Sequence, residues 1–321
     1  MSISSFMERN FLHFNARETL ASAKAWRNLL QEGGKMFLAM AGAMSTAELG
    51  ISLAQMIRAG KVHAISTTAA NLEEDIFNLI AHDEYKTTPD YLALSAADEV
   101  AIRDAGFNRV TDTCIPESAF RKIEALLLDY WIEAAEKNES HFQQDYIFRL
   151  IREGKLDAMM QVPREHSWVA AAMDMEIPIF APGFEDSTMG NVFAARVIDG
   201  MVKSHHAVRT GTEQMQKLVE WYMAEEQRGG VGFFQIGGGI AGDFPICAVP
   251  LLIQDLERKD TRHWSYFAQI SDSTTSYGSY SGAVPNEKIT WHKLDADAPK
   301  FMINSDASIV APLIFAYVMG E

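Results

Sequence analysis

Residues 36–44, MFLAMAGAM, are the stretch that decides the fold predicted for this chain. The run is short, apolar and free of charge, which predicts a buried strand. Ser45 and Glu48 follow at the spacing of a helix N-terminal cap, and Gly60 ends the predicted helix. The segment VHAIS at 62–66 predicts a second strand. A strand, a helix and a strand in this order favour a parallel sheet covered by helices.

The same alternation continues along the chain. Asn15 and Glu18 predict the cap of a first helix, and Asn71 with Glu74 predicts the cap of the helix that follows VHAIS. Residues 83–112 carry weak signals and are predicted to form an excursion or lid. The further predicted elements are helices at 118–137, 142–153, 165–175, 192–200 and 212–228, an apolar helix containing Pro250, strands at 177–182, 231–236 and 264–270, a late strand around Trp291, and a closing helix from Ala307.

The composition is that of an ordinary globular protein, with 321 residues of which 48% are hydrophobic and 22% charged. We find no internal repeat and no Pro/Ser-rich linker. The sequence therefore predicts one α/β domain over 1–321, with a helical N-terminal extension over about 1–34. Its sheet is predicted to be Rossmann-like, doubly wound and mostly parallel, with helices on both faces.

The charge balance is acidic, with a net charge of -15 and a pI of about 5.0. Such a chain repels nucleic acid and anionic membranes and attracts cations such as polyamines, although the net charge alone is explained better by solubility. Cys114 and Cys247 form no CxxC, and His205-His206 make a poor metal pair, so no metal site is predicted. The start lacks a secretory pattern and no apolar run reaches 18 residues, which predicts a cytoplasmic protein.

Two segments lie where strands are predicted to end, which is where α/β proteins bind ligands. Residues 237–242, GGGIAG, satisfy G-x-G-x-x-G and could approach a pyrophosphate, but the pattern lies late in the chain and a glycine turn is an equal alternative. Residues 66–70, STTAA, offer hydroxyls and small side chains, and the acidic residues Glu73–Asp75 follow them. Favourable charge in a first helical turn is the alternative for those acids.

A third loop carries Glu185 and Asp186, with Asn191 beyond them, and taken alone it is explained better by a simple polar turn than by a binding role. The segment 285–293, PNEKITWHK, is more unusual. If it is extended, Ile289, Trp291 and Lys293 share one face. A partly buried lysine beside an indole could act as a nucleophile for Schiff-base chemistry, whereas a surface lysine on an edge strand is the simpler explanation.

These loops together resemble the deoxyhypusine synthase family, over nearly the whole chain and in the family's order. The matching motifs are LAMAGAMSTAELG, STTAANLEED, IPIFAPGFEDSTMG, IGGGIAG, SGAVPNEKITWHK and NSDASIVAPL. The resemblance implies NAD as cofactor, a polyamine that donates a hydride, and transfer of its aminobutyl group through an imine on a lysine. It also implies a homotetramer with its sites at dimer interfaces.

The resemblance assigns roles to individual residues. Lys293 matches the family's nucleophile, because it lies two residues after Trp291 in a W-G-K-type motif. The predicted substrate-binding residues are Glu73, Asp186, Asn191, Asp243, Tyr280, Glu287 and Trp291. The predicted cofactor-binding residues are Ser45, Thr67, Thr68, Ala69, Asp186, Gly238, Asp272, Tyr277, Asp306 and Ala307.

The departures from the family pattern concern substrate binding. Asp243 stands where the family has a histidine, and Gly242 replaces the lysine before it, so the apparent dinucleotide pattern arises partly from that replacement. Tyr277 and Tyr280 replace two aspartates, and Asn191 replaces another acidic residue. Loss of a carboxylate that pairs with a buried ammonium weakens binding. We therefore expect an NAD-dependent aminoalkyl transferase acting on a polyamine or related amine, with a small-molecule acceptor rather than a protein.

Two other functions stay open at this stage. One is a hydrolase or lyase of a guanidino or amino compound in the same pocket. The other is a non-catalytic scaffold that binds NAD.

Overall fold

The structure is a computed structural model that describes residues 1–274, 278 and 280–321. The predictions made for Tyr277 therefore lie outside the described residues. For Tyr280 the backbone is described and the side chain is not. None of the described helices has both the length and the apolar character needed to cross a bilayer.

The main sheet has six strands, and each neighbouring pair is parallel. Its strand order is β6-β2-β1-β7-β8-β9, so the chain builds outwards from β1 in both directions. The predicted α/β class and mostly parallel sheet are confirmed. The strands are β1 Lys35–Met40, β2 Ala64–Thr67, β3 Lys86–Thr87, β4 Phe107–Val110, β5 Thr113–Pro116, β6 Ile179–Phe180, β7 Val231–Ile236, β8 Tyr266–Ile270 and β9 Lys300–Ile303.

Two cores cover the two faces of this sheet, because side chains along a strand alternate between faces. Met36 and Leu38 of β1 belong to one core, while Phe37 belongs to the other.

The helices are α1 Ile3–Asn10, α2 Phe14–Gln31, α3 Gly50–Arg58, α4 Ala69–Ala81, α5 Ala96–Asp104, α6 Glu117–Lys137, α7 Gln143–Arg152, α8 Trp168–Asp174, α9 Thr188–Ile198, α10 Gly211–Glu225, α11 Ile240–Ile246, α12 Ala248–Pro250, α13 Glu287–Thr290 and α14 Ala307–Met319.

The predicted weakly structured excursion at 83–112 is more ordered than expected. It contains α5 and the strands β3 and β4, which join β5 in a second, antiparallel sheet of order β3-β5-β4. This small sheet borders two cavities at the carboxyl edge of the main sheet, because Val110 lines both of them.

The predicted strand around Trp291 is wrong. Residues 287–290 form the short helix α13, and Trp291 ends it. The last strand of the sheet is instead β9, which the sequence analysis did not predict. Ile289, Trp291 and Lys293 therefore do not share a strand face, since helical periodicity replaces strict alternation.

Three predicted helix caps are also wrong, although the helices exist. Asn15 bonds with the backbone of Asn304, on the loop after β9, and caps nothing in α2. Ser45 lies in a turn before α3, which begins at Gly50. The third predicted cap was Asn71. The residue that caps α4 is instead Thr68, whose hydroxyl accepts from the backbone N–H of Asn71. In each case the polar side chain that the local pattern assigned to a cap bonds instead to another part of the chain.

Phe37 lies at the centre of a ring cluster, with its centroid 5.5 Å from that of Phe233 and 5.6 Å from that of Trp264. Replacing it with alanine leaves a cavity in this core, so we expect Phe37→Ala to lower the free energy of unfolding by about 3–5 kcal/mol. Urea denaturation measures this. Leu92 is 86% exposed, so Leu92→Ala serves as the control and is expected to change stability by less than about 0.5 kcal/mol. Equal losses in the two variants would contradict the assignment of this core.

Candidate active site

The predicted site residues that the structure describes lie on segments at one edge of the main sheet. The carboxyl ends of parallel strands lie side by side, so the loops after them converge. Thr67 ends β2, Gly237 follows β7, and Asp272 lies two residues beyond β8. Asp306 caps α14 after β9 by accepting from the N–H and hydroxyl of Ser308. The structure thus brings the predicted cofactor loops to a common edge.

Ser45 holds the loop after β1 against α4. Its hydroxyl donates to the carbonyl of Asn71 at 2.7 Å and accepts from the indole N–H of Trp168 at 3.0 Å. Its backbone N–H donates to the side chain of Asn71 at 2.9 Å. Ser45 is 1% exposed, so its hydroxyl positions this loop rather than facing the cavity.

The segment predicted to approach a nucleotide opens α4. The hydroxyl of Thr67 donates to the carbonyl of Met40, and that of Thr68 donates to the carbonyl of Gly42. Ala69 is the first residue of the helix. These bonds join the loops after β1 and β2 and present a helix N-terminus at the sheet edge. Helix N-termini favour anions such as phosphate.

Two glycines after β7 leave no room for a side chain, because other residues of the chain lie where a Cβ would be. A Cβ on Gly238 would lie 1.8 Å from the hydroxyl of Ser281, and one on Gly242 would lie 2.6 Å from the amide carbon of Gln235. Gln269 then ties the loop to the segment after β8, donating to the carbonyls of Gly237 and Ser281. The third glycine of the G-x-G-x-x-G pattern therefore serves packing against Gln235.

Three consecutive acids of α4 are all buried, and each bonds to a different segment. Glu73 accepts from the N–H groups of Thr188 and Met189, at 3.0 and 2.8 Å. Glu74 accepts from the N–H of Thr46 at 3.3 Å. Asp75 accepts from Ser167 and from the N–H groups of Trp168 and Val169. Burial is the main cause that raises the pKa of each of these three carboxyl groups to about 7.

Glu73 also lines a cleft of about 510 Å³, which it shares with Asp186 and Asn191. The structure thus brings these three predicted substrate residues together. Glu74 and Glu117 add two more carboxyl groups to the walls, and no lysine or arginine lines the described part of the cleft. A cavity with this charge favours small cations. The amide of Asn191 donates to the carbonyl of Ser187 and so stabilises the first turn of α9.

Lys293 lies in a second group of residues, between β8 and β9. The residue is 7% exposed, and its ammonium nitrogen is 3.6 Å from a carboxylate oxygen of Asp243. The ammonium also lies 5.9 Å from the ring centroid of Trp291, which is 64% exposed and can wall the site. Asp243 projects from α11, and Cys247 follows it one helical turn later. Burial raises the pKa of the Cys247 thiol, and the nearby charge of Lys293 opposes that rise.

The two groups stand on segments that follow different strands. Glu73 and Asp186 follow β2 and β6, whereas Asp243 follows β7 and Lys293 follows β8. Strands are spaced by about 4.8 Å, so roughly 14 Å separates the ends of β2 and β8. Glu287 lies in the first turn of α13 and is exposed.

Lys288 is a residue of this region that the sequence analysis missed. It is 2% exposed and its ammonium lies 4.6 Å from the ring centroid of Phe267. No sequence pattern signals its burial, because Lys288 stands between Glu287 and Ile289 in a short segment of mixed polarity.

The fold and the groups at its edge are those of an α/β protein with candidate ligand-binding residues at the carboxyl edge of a parallel sheet. The chain belongs to the deoxyhypusine synthase family of aminobutyl transferases, whose model, described as deoxyhypusine synthase, matches residues 5–318. A "Deoxyhypusine synthase-like protein" of Cyanothece sp. is 27% identical over 304 residues, which are 92% of this chain and 73% of that protein. "Probable deoxyhypusine synthase 1" of Archaeoglobus fulgidus is 24% identical over 310 residues, which are 96% of this chain and 90% of that one.

Solved structures show the likeness at the level of the fold. A crystal structure from Entamoeba histolytica that carries a deoxyhypusine synthase assignment superposes with a TM-score of 0.60 and 13% identity, covering 100% of this chain and 94% of its own. A binary complex of L-arginine with a cysteine-to-alanine mutant of AgrE superposes with a TM-score of 0.53 and 10% identity, covering 96% of this chain and 34% of its own.

Glu74 provides a test of the buried acids. Its raised pKa means that the folded protein binds more protons than the unfolded chain between about pH 4.5 and 7, so its ionisation lowers stability as the pH rises through that window. We expect Glu74→Gln to gain about 1–3 kcal/mol in unfolding free energy, relative to the wild type, between pH 5 and pH 8. Urea denaturation at both pH values measures this gain. The exposed Glu32→Gln is the control, and a Glu74→Gln difference that does not vary with pH would contradict the burial of this charge.

Proposed function

We propose that this chain is an NAD-dependent aminoalkyl transferase that forms an imine on Lys293 and passes the alkyl group to a small amine acceptor. The observation that carries the proposal is the burial of Lys293 beside Asp243 and Trp291, at the edge where the predicted cofactor loops converge. Membership of the family supports the transfer chemistry.

The residues at the edge fit a dinucleotide. A cavity of about 830 Å³ is lined by Ala43 and Met44, after β1, and by Asp306, after β9. A carboxylate in such a place can accept from ribose hydroxyls, and the N-terminus of α4 can face phosphate. NAD would supply the hydride acceptor for oxidation of the donor amine and, once reduced, the hydride donor for the imine of the product. Strand order on the two sides of β1 also supports the Rossmann-like, doubly wound arrangement predicted from the sequence.

Lys293 would react as a neutral amine once the substrate carbon has become an imine. A new bond forms between that carbon and the Lys293 nitrogen, and the bond from the carbon to the departing amine breaks. Asp243, 3.6 Å from the Lys293 nitrogen, would take up the proton that Lys293 loses and return it to the departing amine. Its place next to the nucleophile supports a proton-transfer role in addition to the predicted substrate binding.

The acidic cleft would hold the cationic ends of the amine. Glu73 is buried on the wall of the cleft, and Asp186 is exposed beside it. An ammonium group of the substrate could therefore leave water and bind to both carboxylates. Glu287 and Trp291, both exposed, would contact the part of the amine nearer Lys293.

A second copy of the chain would complete the site. The ends of β2 and β8, which precede Glu73 and Lys293, lie roughly 14 Å apart, and a neighbouring copy could bring its acidic cleft opposite Lys293. Ile240, Val284 and Trp291, in the segments after β7 and β8, are apolar residues that are each at least 45% exposed, and they would suit burial in such an interface. This supports the predicted homotetramer with sites at dimer interfaces.

Borohydride trapping tests the imine. Wild-type protein incubated with NAD and spermidine, putrescine or agmatine should, after reduction, carry an alkyl adduct that peptide mass mapping assigns to Lys293. Lys293→Arg should carry none, since a guanidinium forms no such imine, while Lys259→Arg, at an exposed lysine, should behave as the wild type. The imine mechanism fails if NADH forms and no amine gives an adduct. Amine release without transfer to an acceptor would instead indicate a hydrolase or lyase.

Asp243 provides a second test. Removing its proton-transfer capacity in Asp243→Asn should slow adduct formation by about 10²-fold. Asp243→His should recover at least part of that loss, because imidazole also transfers protons near neutral pH. The exposed Asp255→Asn is the control and should react at the wild-type rate. Equal rates for Asp243→Asn and Asp243→His would indicate that Asp243 acts only by its shape or charge.

A further inference from the structure

A small internal pocket adjoins the acidic cleft on the other side of Glu73. Glu73 lines both spaces, and the alanines before it divide between them, since Ala70 lines the cleft and Ala69 lines the pocket. The pocket has a volume of about 20 Å³, whereas the cleft has about 510 Å³. A space of this size holds a single group about as large as a water molecule. The pocket can therefore take one end of a ligand that lies in the cleft.

The walls of the pocket are mostly apolar. Leu72, Leu127 and Ile147 contribute aliphatic side chains, and each of these residues is at most 4% exposed. Aromatic side chains complete the walls, and they belong to Trp131, Tyr146 and Phe184. Aliphatic walls suit a methylene chain, and aromatic rings attract ammonium groups. The lining thus gives favourable surroundings to the end of an alkyl amine.

Gln143 supplies the pocket with an unused hydrogen-bond acceptor. It is the first residue of α7, lines the pocket and is 5% exposed. Its amide nitrogen donates to the carbonyl of Ala181, just after β6. Its amide oxygen accepts from no group in the part of the chain that the structure describes. A buried acceptor without a partner is costly, so a ligand or a water molecule that donates to it is favoured.

The carboxylate of Glu73 is a second acceptor at the pocket. Its two oxygens accept from the N–H groups of Thr188 and Met189, and each can accept a further hydrogen bond. A group that enters the pocket must therefore donate in two directions. An ammonium group does so, and its charge balances that of the ionised carboxylate. A guanidinium group is planar with three nitrogens, and it exceeds a space for one water-sized group.

We propose that this pocket binds the terminal ammonium group of an alkyl amine, and that Gln143 selects this group over a guanidinium. The inference deepens the proposed function and rests on it for the class of ligand. The rest of the alkyl chain would pass Glu73 into the cleft, where Asp186 would bind a second cationic end. The substrate is then a primary amine with an unbranched alkyl chain.

Calorimetric titration of the full chain tests this selection by comparing putrescine with 1,4-diguanidinobutane, which has the same alkyl chain and the same charge. The titrations are made at about pH 8, above the pKa of about 7 of Glu73, with and without NADH, which accepts no hydride from the amine. Wild-type protein should bind putrescine about 10- to 100-fold more tightly, because only an ammonium end enters the pocket. Gln143→Met keeps a similar volume and should lose most of that preference through weaker binding of putrescine alone.

Gln144→Met is the matched control. Gln144 is 3% exposed, and its amide nitrogen donates to the carbonyl of Ile179 in β6 at 2.8 Å. Its amide oxygen also has no partner among the described residues, but Gln144 does not line the pocket. The two variants thus remove the same kind of bond to the strand segment, and only Gln143→Met changes the pocket. Gln144→Met should keep the wild-type preference.

Three results would overturn the inference. The first is equal affinity of the wild type for the two ligands, and the second is no binding of putrescine under either condition. The third is the same preference in both variants, since Gln143 would then act on the fold alone or contact only water. The wild-type comparison needs no variant, so it decides the matter even if Gln143→Met does not fold.

This inference and the transferase proposal can fail separately. Binding with the expected preference but without an adduct on Lys293 would refute the imine mechanism alone. An adduct on Lys293 without the preference for putrescine would refute the role of Gln143 alone.

Discussion

The loops at the carboxyl edge of the sheet depend on buried polar groups of α4. The loops that follow the six parallel strands converge at one edge of the sheet. Their buried backbone N–H groups need hydrogen-bond acceptors in the protein, because burial removes water. Glu73, Glu74 and Asp75 supply them to three different segments, and Asn71 ties the loop after β1 to the same helix. Each bond compensates part of the cost of burying a carboxyl group. One helix thereby fixes the geometry of the cleft, the turn before α3 and the start of α8.

The sheet was predictable from the sequence wherever an apolar run stood alone between turn residues. Residues 231–236 form β7 over the whole of the predicted range, and the runs that became β1 and β8 were found as well. In contrast, β9 has four residues and three of them are only partly buried, so it leaves a weak pattern. The strand predicted around Trp291 failed because its alternation is short, and short patterns do not separate a strand from one helical turn.

Helix caps were harder to predict than helices. Asn15, Ser45 and Asn71 each have the side chain of a capping residue, and each bonds to a partner distant in sequence. A local pattern cannot show which partner the fold brings near. The candidate site shows the same difference between what a local pattern can predict and what it cannot. The motifs identified Glu73, Asp186 and Lys293 as candidates, since residue type and order carry that information. They could not show that Gly242 packs against Gln235, or that Lys288 is buried, because those facts depend on contacts across the fold.

The position of Glu73 links ligand binding to protons in solution. Its carboxyl group caps α9 and lines the cleft, and burial raises its pKa to about 7. At neutral pH a population of molecules therefore carries a proton on Glu73. A cation that enters the cleft favours the ionised carboxylate and so displaces that proton into the buffer. The heat of cation binding would then vary with the ionisation enthalpy of the buffer, and the affinity would rise with pH through the titration of Glu73 and of Glu74, which lines the same cleft.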